Sequence, residues 1–119
     1  MKLLFTIVFS ILPFLQQTDS FVFKNGNQKI VLKIDNGNRN LSWGKTSVLN
    51  LSLKNINPSK LNMSAPGIRY LKSKRDNEVN LEITPTKDIF ENDSLNLHVG
   101  YEDEIKSYVH HKFTVLIKE

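Results

Sequence analysis

Apolar and polar side chains alternate along most of the chain beyond its first twenty residues. Alternation with a period of two is the pattern of β-strands that turn one face to a core and the other to water. No stretch after residue 20 has the spacing of an amphipathic helix. We expect the apolar member of each alternating pair to lie on the inner face of a strand: Ile30, Leu32, Ile34; Leu49, Leu51, Leu53; Val79, Leu81, Ile83; Leu95, Leu97, Val99; and Val109, His111, Phe113, Val115, Ile117.

Turn residues divide this pattern into short segments. Asn25-Gly26-Asn27 predicts a tight hairpin turn, Pro58 ends a strand, and Ala65-Pro66-Gly67 indicates a further turn. Seven or eight short strands with a turn about every ten residues predict an all-β fold, an antiparallel immunoglobulin-like β-sandwich. A small β-barrel is the alternative, and the strand order stays open. Strands are predicted at residues 21–24, 28–35, 48–54, 79–83, 95–99 and 107–118, with less regular segments at 41–44, 60–64 and 68–72.

The first twenty residues have the layout of a secretory signal peptide. Lys2 precedes a mostly apolar run over residues 3–15, and a polar stretch with small residues at Thr18 and Ser20 follows it. As a helix the run spans only about 20 Å, whereas a bilayer core is about 30 Å thick. We therefore expect cleavage after Ser20, export to the periplasm or the extracellular space, and a single mature domain over residues 21–119 without a stable membrane span. The alternative is that the run forms a buried N-terminal element of the mature fold.

The amino-acid composition limits the cellular compartments and the classes of partner that fit this chain. The chain has no cysteine, which rules out disulfides, a lipid-anchoring cysteine and a thiol nucleophile. This favours a bacterial periplasm or cell surface over an animal disulfide module. The net charge of +4 is modest. Lys72, Lys74 and Arg75 form only a short basic tip without stacking aromatics, so no nucleic-acid partner is predicted.

The three histidines do not have the spacing of a helical metal site. His110 and His111 are adjacent in a predicted strand, where neighbouring side chains point to opposite faces, so they cannot share one ion. His98 can meet one of them across strands. We expect a surface His110 and a partly buried, hydrogen-bonded His111, and we predict no metal ligands.

Other chemistry is sparse. No Gly-x-Ser-x-Gly elbow and no phosphate-binding glycine loop is present, so no catalytic residue and no cofactor is predicted, and the protein is not expected to be an enzyme. The acidic run Glu102-Asp103-Glu104, with Glu91 and Asp93, could bind calcium, but a solvated turn is the simpler interpretation.

Aromatic and asparagine residues offer two further surface features. Trp43 has no cysteine partners of the antibody type, and Tyr70, Tyr101 and Tyr108 are candidates for exposed aromatic contacts with a partner or a sugar. A eukaryotic secretory route could glycosylate the four Asn-x-Ser sites, which are at Asn40, Asn50, Asn62 and Asn92.

Residues of about 50–119 resemble a known group of bacterial domains. The similarity is carried by Leu49-x-Leu-x-Leu, Ser64-Ala65-Pro66-Gly67-Ile68, Leu81-Glu82-Ile83-Thr84-Pro85 and Phe113-x-Val-x-Ile. Together they resemble the immunoglobulin-like β-sandwich modules of Bacteroidetes envelope proteins, such as the periplasmic shaft protein of the gliding and type IX secretion motor. The resemblance implies a non-catalytic interaction or spacer module, and it assigns no functional residue.

These observations predict an exported, non-catalytic envelope or secreted protein that acts as a protein–protein interaction or structural module. Its expected partner is another envelope or secreted protein. The alternative is a carbohydrate- or ligand-binding β-sandwich, which requires aromatic side chains that converge on one surface. The oligomeric state stays open.

Overall fold

The computed structural model describes residues 20–35, 37–73, 75–90 and 92–119, so the predicted leader lies outside the described residues except for Ser20. Within them the chain forms nine β-strands and one short 3₁₀ turn at Pro58–Lys60. No helix in these ranges has the length and apolar character needed to cross a membrane. The strands are β1 (Val22–Asn25), β2 (Gln28–Ile34), β3 (Asn40–Ser42), β4 (Ser47–Lys54), β5 (Asn62–Ser64), β6 (Arg69–Leu71), β7 (Glu78–Ile83), β8 (Ser94–Glu102) and β9 (Tyr108–Lys118).

The strands form two sheets packed face to face. One has five strands in the order β1-β2-β4-β7-β6, and the other has four in the order β3-β9-β8-β5. With β4-β7-β6 in one layer and β9-β8-β5 in the other, the topology is that of an immunoglobulin-like sandwich. The predicted fold class is confirmed.

Two details differ from the sequence-based prediction. The described residues contain nine strands and not seven or eight, because the three short segments at β3, β5 and β6 all pair. Strands of three residues contain too few positions for a clear alternation. In addition, β3 pairs with β9 in parallel, with Leu41 opposite Ile117. A parallel pair usually requires a crossover helix because its two strands follow each other in one sheet. Here β3 and β9 are far apart in the chain, and the strands between them include members of the other sheet, so the chain returns in parallel without such a helix.

The first hairpin forms at the predicted turn. Asn25 of β1 pairs with Gln28 of β2, which leaves a two-residue loop of Gly26 and Asn27. Gly26 has a φ of +63°, a conformation that glycine adopts without strain and that hairpin turns require at their first central position. The sequence signal therefore has a direct conformational cause.

The inner faces of the two sheets form one apolar core. The leucine, isoleucine, valine and phenylalanine side chains predicted to point inward are all buried, apart from Val79 and Val109, which are partly buried and pack against the core. Each fully buried side chain of this size contributes about 1.5–3 kcal/mol relative to an exposed one. The core thus accounts for a stable domain without disulfides.

Tyr101 corrects one expectation. It was predicted to be a candidate for exposure, but only 1% of its surface is accessible. The residue continues the inward alternation of Leu97 and Val99 along β8, and its hydroxyl donates a hydrogen bond to Gln28 Oε1 at 3.2 Å. Gln28 lies on the opposite sheet, so this polar contact joins the two layers inside the core.

Candidate functional site: the outer face of the four-stranded sheet

The outward side chains of β5, β8 and β9 form the surface that we call the tyrosine–histidine face. Alternation places them on the side opposite the core, because their strand neighbours, such as Phe113 and Leu97, are fully buried. The face consists of Asn62 and Ser64 on β5, Asn96, His98 and Gly100 on β8, and Tyr108, His110, Lys112, Thr114 and Leu116 on β9.

Two large apolar side chains of this face are open to solvent. Tyr108 is 62% exposed and Leu116 is 54% exposed, and both lie on β9. The Tyr108 ring lies across Gly100 of the neighbouring strand, where an added Cβ atom would be only 2.6 Å from Tyr108 Cζ and still closer to its hydroxyl. The absence of a side chain at Gly100 therefore gives the ring its position on the sheet.

His98 and His110 meet beside this tyrosine. Nδ1 of His98 lies 3.3 Å from Nε2 of His110, and the two rings stack with centroids 5.4 Å apart and planes inclined by 25°. The register explains the contact. Gly100 is directly opposite His110, so His98, two residues before Gly100 on β8, is the diagonal neighbour of His110. The expectation that His98 can meet one of the two adjacent histidines is confirmed. Lys112 is directly opposite His98 on the same face.

His111 points to the other side of β9 and has a different environment. Its ring stacks on Phe23 at 4.5 Å and meets Phe113 edge-on at 4.5 Å. The pKa of His111 lies below its ordinary value of 6.5, mainly because burial disfavours the charged ring and to a smaller extent because of His110. The expectation of a partly buried residue is correct, but that of a hydrogen-bonded one is wrong for Nε2, which is buried without a partner. Its aromatic neighbours provide no acceptor or donor at that atom.

A groove runs along the β5 side of the tyrosine–histidine face. The strand β5 pairs only with His98, Val99 and Gly100, so residues 94–97 of β8 have no strand partner on that side within the described ranges. One cavity of about 570 Å³ lies beside this unpaired edge and is flanked by Ala65, Pro66, Ile89 and Phe90, and a second of about 190 Å³ lies beside the histidine pair and Tyr108. Ser64 and His98 line both, which makes the two cavities neighbours.

The acidic turn between β8 and β9 is organised by one carboxylate. Asp103 Oδ1 accepts hydrogen bonds from the backbone N–H groups of Ile105 at 3.1 Å and Ser107 at 2.9 Å. Of the two further acidic residues named with this cluster from the sequence, Glu91 lies outside the described residues. Asp93 directly precedes β8, so it lies at the end of that strand opposite to the acidic turn. In residues 20–35, 37–73, 75–90 and 92–119, no three or more histidine or carboxylate side chains come together as a metal-binding group.

The other aromatic candidates lie elsewhere. Trp43 is partly buried and packs edge-on against Phe90, with ring centroids 6.4 Å apart. Its backbone N–H donates to the carbonyl of Lys118, which places it at the end of β9 opposite to Tyr108. Tyr70 is exposed at the edge strand β6, where its hydroxyl donates to the Met63 carbonyl at 3.4 Å.

The basic tip and the glycosylation sequences occupy ordinary surface positions. Lys72 and Arg75 are exposed, and Lys74 lies outside the described residues. Of the four Asn-x-Ser sites, Asn62 and Asn92 are exposed and Asn40 is partly buried. Asn50 lies within β4, and its side chain is hydrogen-bonded to neighbouring strands, as the sequence position suggested.

No protein-family model matches this chain, and no curated protein matches it significantly. One solved structure, the BIgI domain of beta protein from S. agalactiae bound to CEACAM1, aligns with 76% of this chain and 98% of its own length, at 18% sequence identity and a TM-score of 0.41. A likeness of this degree does not transfer a partner.

Proposed function

We propose that this protein is an exported, non-catalytic interaction module that binds an envelope or secreted protein through its tyrosine–histidine face. The observation that carries the proposal is the exposure of Tyr108 and Leu116, at 62% and 54%, on one regular strand. Both side chains point to the same side of β9, and tyrosine is enriched among the residues that dominate binding energy at protein interfaces.

The open edge of β8 supplies the polar part of this surface. Unpaired backbone groups at an edge can accept an additional strand, and pockets beside the edge then select side chains of the bound segment. Residues 94–97 and the adjacent cavity of about 570 Å³ fit that mode of binding. An extended segment of the partner, paired with β8, would end beside the histidine pair because His98 is the first residue that β5 covers.

The arrangement of polar groups supports a non-catalytic role. In the part of the chain that the structure describes, the side-chain hydrogen bond of His98 and His110 joins them to each other and not to a carboxylate or a serine. Such a pair lacks the nucleophile and the orienting acid that acyl transfer by a histidine base requires.

The position of the aromatic residues favours a protein over a sugar as the ligand. Trp43 and Tyr108 lie at opposite ends of β9, about 33 Å apart for ten residues of strand. They therefore do not converge on one platform, whereas a carbohydrate site needs such convergence.

The proposed location rests on the leader sequence. The apolar run at residues 3–15 and the small residues Thr18 and Ser20 support export. Phe21 is already buried in the core, and β1 begins at Val22, which is compatible with a mature domain that starts directly after the predicted cut. The resemblance to envelope modules is the reason for proposing an envelope partner.

Site-specific photocrosslinking in the native cell tests this proposal. A photoreactive phenylalanine analogue is placed at Tyr108 or Leu116, with Lys33 on the outer face of the other sheet as the matched control. We expect one discrete adduct from the first two positions and none from the third. An equal yield of the same adduct from Lys33, or no adduct from Tyr108 and Leu116, would contradict the proposal.

The crosslinked partner is then purified and its affinity measured directly. We expect Tyr108→Ala to weaken binding about tenfold or more, as is usual for a central aromatic anchor. Gly100→Ala should weaken it as well, because the new methyl group displaces the Tyr108 ring while the backbone of β8 needs no positive φ at that residue. Lys33→Ala should leave the affinity unchanged, and an equal loss with this control would contradict the assignment of the face.

A further inference from the structure

The two exposed histidines are separated by a distance that suits two ligands of one metal ion. His98 Nδ1 and His110 Nε2 are 3.3 Å apart. Two imidazole nitrogens bound to one tetrahedral zinc ion at about 2.0–2.1 Å are separated by about 3.3–3.4 Å, the edge of the tetrahedron. The two rings are thus already spaced as a pair of ligands on a single ion.

We infer that His98 and His110 form a binding site for a divalent transition-metal ion of the zinc class. Imidazole is a preferred ligand of Zn²⁺, Cu²⁺ and Ni²⁺, whereas Ca²⁺ and Mg²⁺ prefer oxygen. Without the ion, one ring nitrogen donates its proton to the other in an N–H···N hydrogen bond. The ion replaces that proton, which moves to the second nitrogen of the same ring, so that both ligands are neutral imidazoles.

The strands hold this pair in place before any ion binds. Both histidines belong to the longest ladder of the fold, in which Ser94 to Glu102 of β8 pair with Leu116 to Tyr108 of β9. Both side chains are exposed, so the ion keeps part of its hydration and no charge is buried. The site therefore forms with little ordering of the backbone.

The surroundings determine how strong the site is. Asn62, Ser64 and Tyr108 line the cavity of about 190 Å³ beside the rings, and their side-chain oxygens can contact the ion or its bound water. Lys112 is the residue directly opposite His98 on this face, and its positive charge repels the ion. With two nitrogen ligands and this repulsion we expect binding weaker than that of a structural zinc site, and the two remaining tetrahedral positions are open to water or to a ligand from a partner.

Titration of the full chain, without a histidine tag, tests the inference in the absence of any partner. We expect saturable binding of one Zn²⁺ per chain by calorimetry, with no heat from Ca²⁺ or Mg²⁺. Loss of a residue that only hydrogen-bonds to a metal ligand lowers metal affinity about 10–100-fold, and loss of a ligand itself should lower the affinity by at least as much. His98→Gln and His110→Gln should therefore each weaken zinc binding by at least about tenfold.

His111→Gln is the matched control, because it changes the adjacent histidine on the opposite side of β9 and should leave the affinity within about twofold of the original. Circular dichroism verifies the fold of each variant. Absence of saturable zinc binding, an unchanged affinity in His98→Gln or His110→Gln, or an equal loss in His111→Gln would each overturn the inference. Because no partner protein is used, this result is independent of the proposed protein-binding role.

Discussion

The outer faces of the two sheets use their polar side chains differently. On the five-stranded sheet, Asn50 Nδ2 donates to Asn80 Oδ1 at 2.8 Å and to Glu78 Oε1 at 3.3 Å, and Arg69 pairs with Glu82. On the four-stranded sheet, the tyrosine–histidine face leaves Tyr108 and Leu116 open to solvent, and its two histidines are hydrogen-bonded to each other.

This difference indicates which face is available to a binding partner. The five-stranded sheet also carries a cavity, of about 580 Å³, but Asn50, Glu78 and Asn80 in its lining already satisfy one another. A partner there would have to replace existing hydrogen bonds, which gives little net free energy. On the tyrosine–histidine face a partner would cover apolar area that gains from leaving water. The first face mainly supports the fold, and the second is the surface proposed for binding.

The largest expected effect separates the two sides of a single strand. Phe113 is fully buried in the core, whereas Leu116 on the outer side of β9 is 54% exposed. Phe113→Ala should lower the free energy of unfolding by about 3–5 kcal/mol, because it removes buried apolar contacts and leaves a cavity. Leu116→Ala should change it by less than about 0.5 kcal/mol.

Urea denaturation of both variants measures this contrast. A loss of more than about 1 kcal/mol in unfolding free energy for Leu116→Ala would mean that the leucine stabilises the fold. The proposed binding face would then keep only one of its two exposed apolar residues, Tyr108. If the stability is unchanged while the affinity for the crosslinked partner falls, Leu116 contributes to binding and not to the fold.

A smaller difference in unfolding free energy is expected between polar substitutions on the two faces. Asn50→Ala removes the two donated bonds on the five-stranded sheet and also the bond accepted from Ser52 Oγ, so we expect a loss of about 1 kcal/mol in unfolding free energy. Asn96→Ala on the other sheet removes a single exposed bond with Thr114 and should cost only a few tenths of a kcal/mol.

Chemical denaturation of the pair measures the difference. Equal losses would contradict the view that side-chain hydrogen bonds stabilise the five-stranded face more than the four-stranded face. A double variant of Asn50 and Asn80 should cost less than the sum of the two single changes, because the same bond is counted in both.

Alternation alone was sufficient to predict most of the fold. The inward faces of β2, β4, β7, β8 and β9 follow from a period of two, and the same rule, extended by one pair of residues, would have placed Tyr101 inside. Tyrosine has a polar hydroxyl, which made exposure plausible. The bond to Gln28, 73 positions away in the chain, could not be foreseen without the packing of the two sheets.

The candidate site was harder to predict, because it depends on register. Alternation places His98 and His110 on one face of their sheet, but only the loop between β8 and β9 decides which residues lie opposite each other. That loop is shaped by Asp103 and by Lys106, which has a φ of +64°. The open edge of β8 was equally hidden, since it results from the shortness of β5.

The smallest expected effect concerns the two adjacent histidines, which belong to opposite sides of β9. The folded state holds the pKa of His111 below its ordinary value of 6.5, which the unfolded chain retains. As the pH falls through 6.5, the unfolded chain takes up a proton first, so stability decreases until the lowered pKa of the folded state is passed. At neutral and higher pH, where both states are unprotonated, this loss is absent.

Urea midpoints between pH 8 and pH 5 measure this dependence, with about 6.5 as the pH at which the loss begins. His111→Phe keeps a ring between Phe23 and Phe113 and should remove the acid-dependent loss of stability that His111 causes. The unfolding free energy of the variant relative to that of the original chain should therefore increase toward acid. His110→Gln should reduce the effect only in part, because burial is the larger cause and the charge of His110 the smaller. If His110→Gln removed it completely, the interaction between the two rings, and not the aromatic contact inside the sandwich, would control the acid response of this strand.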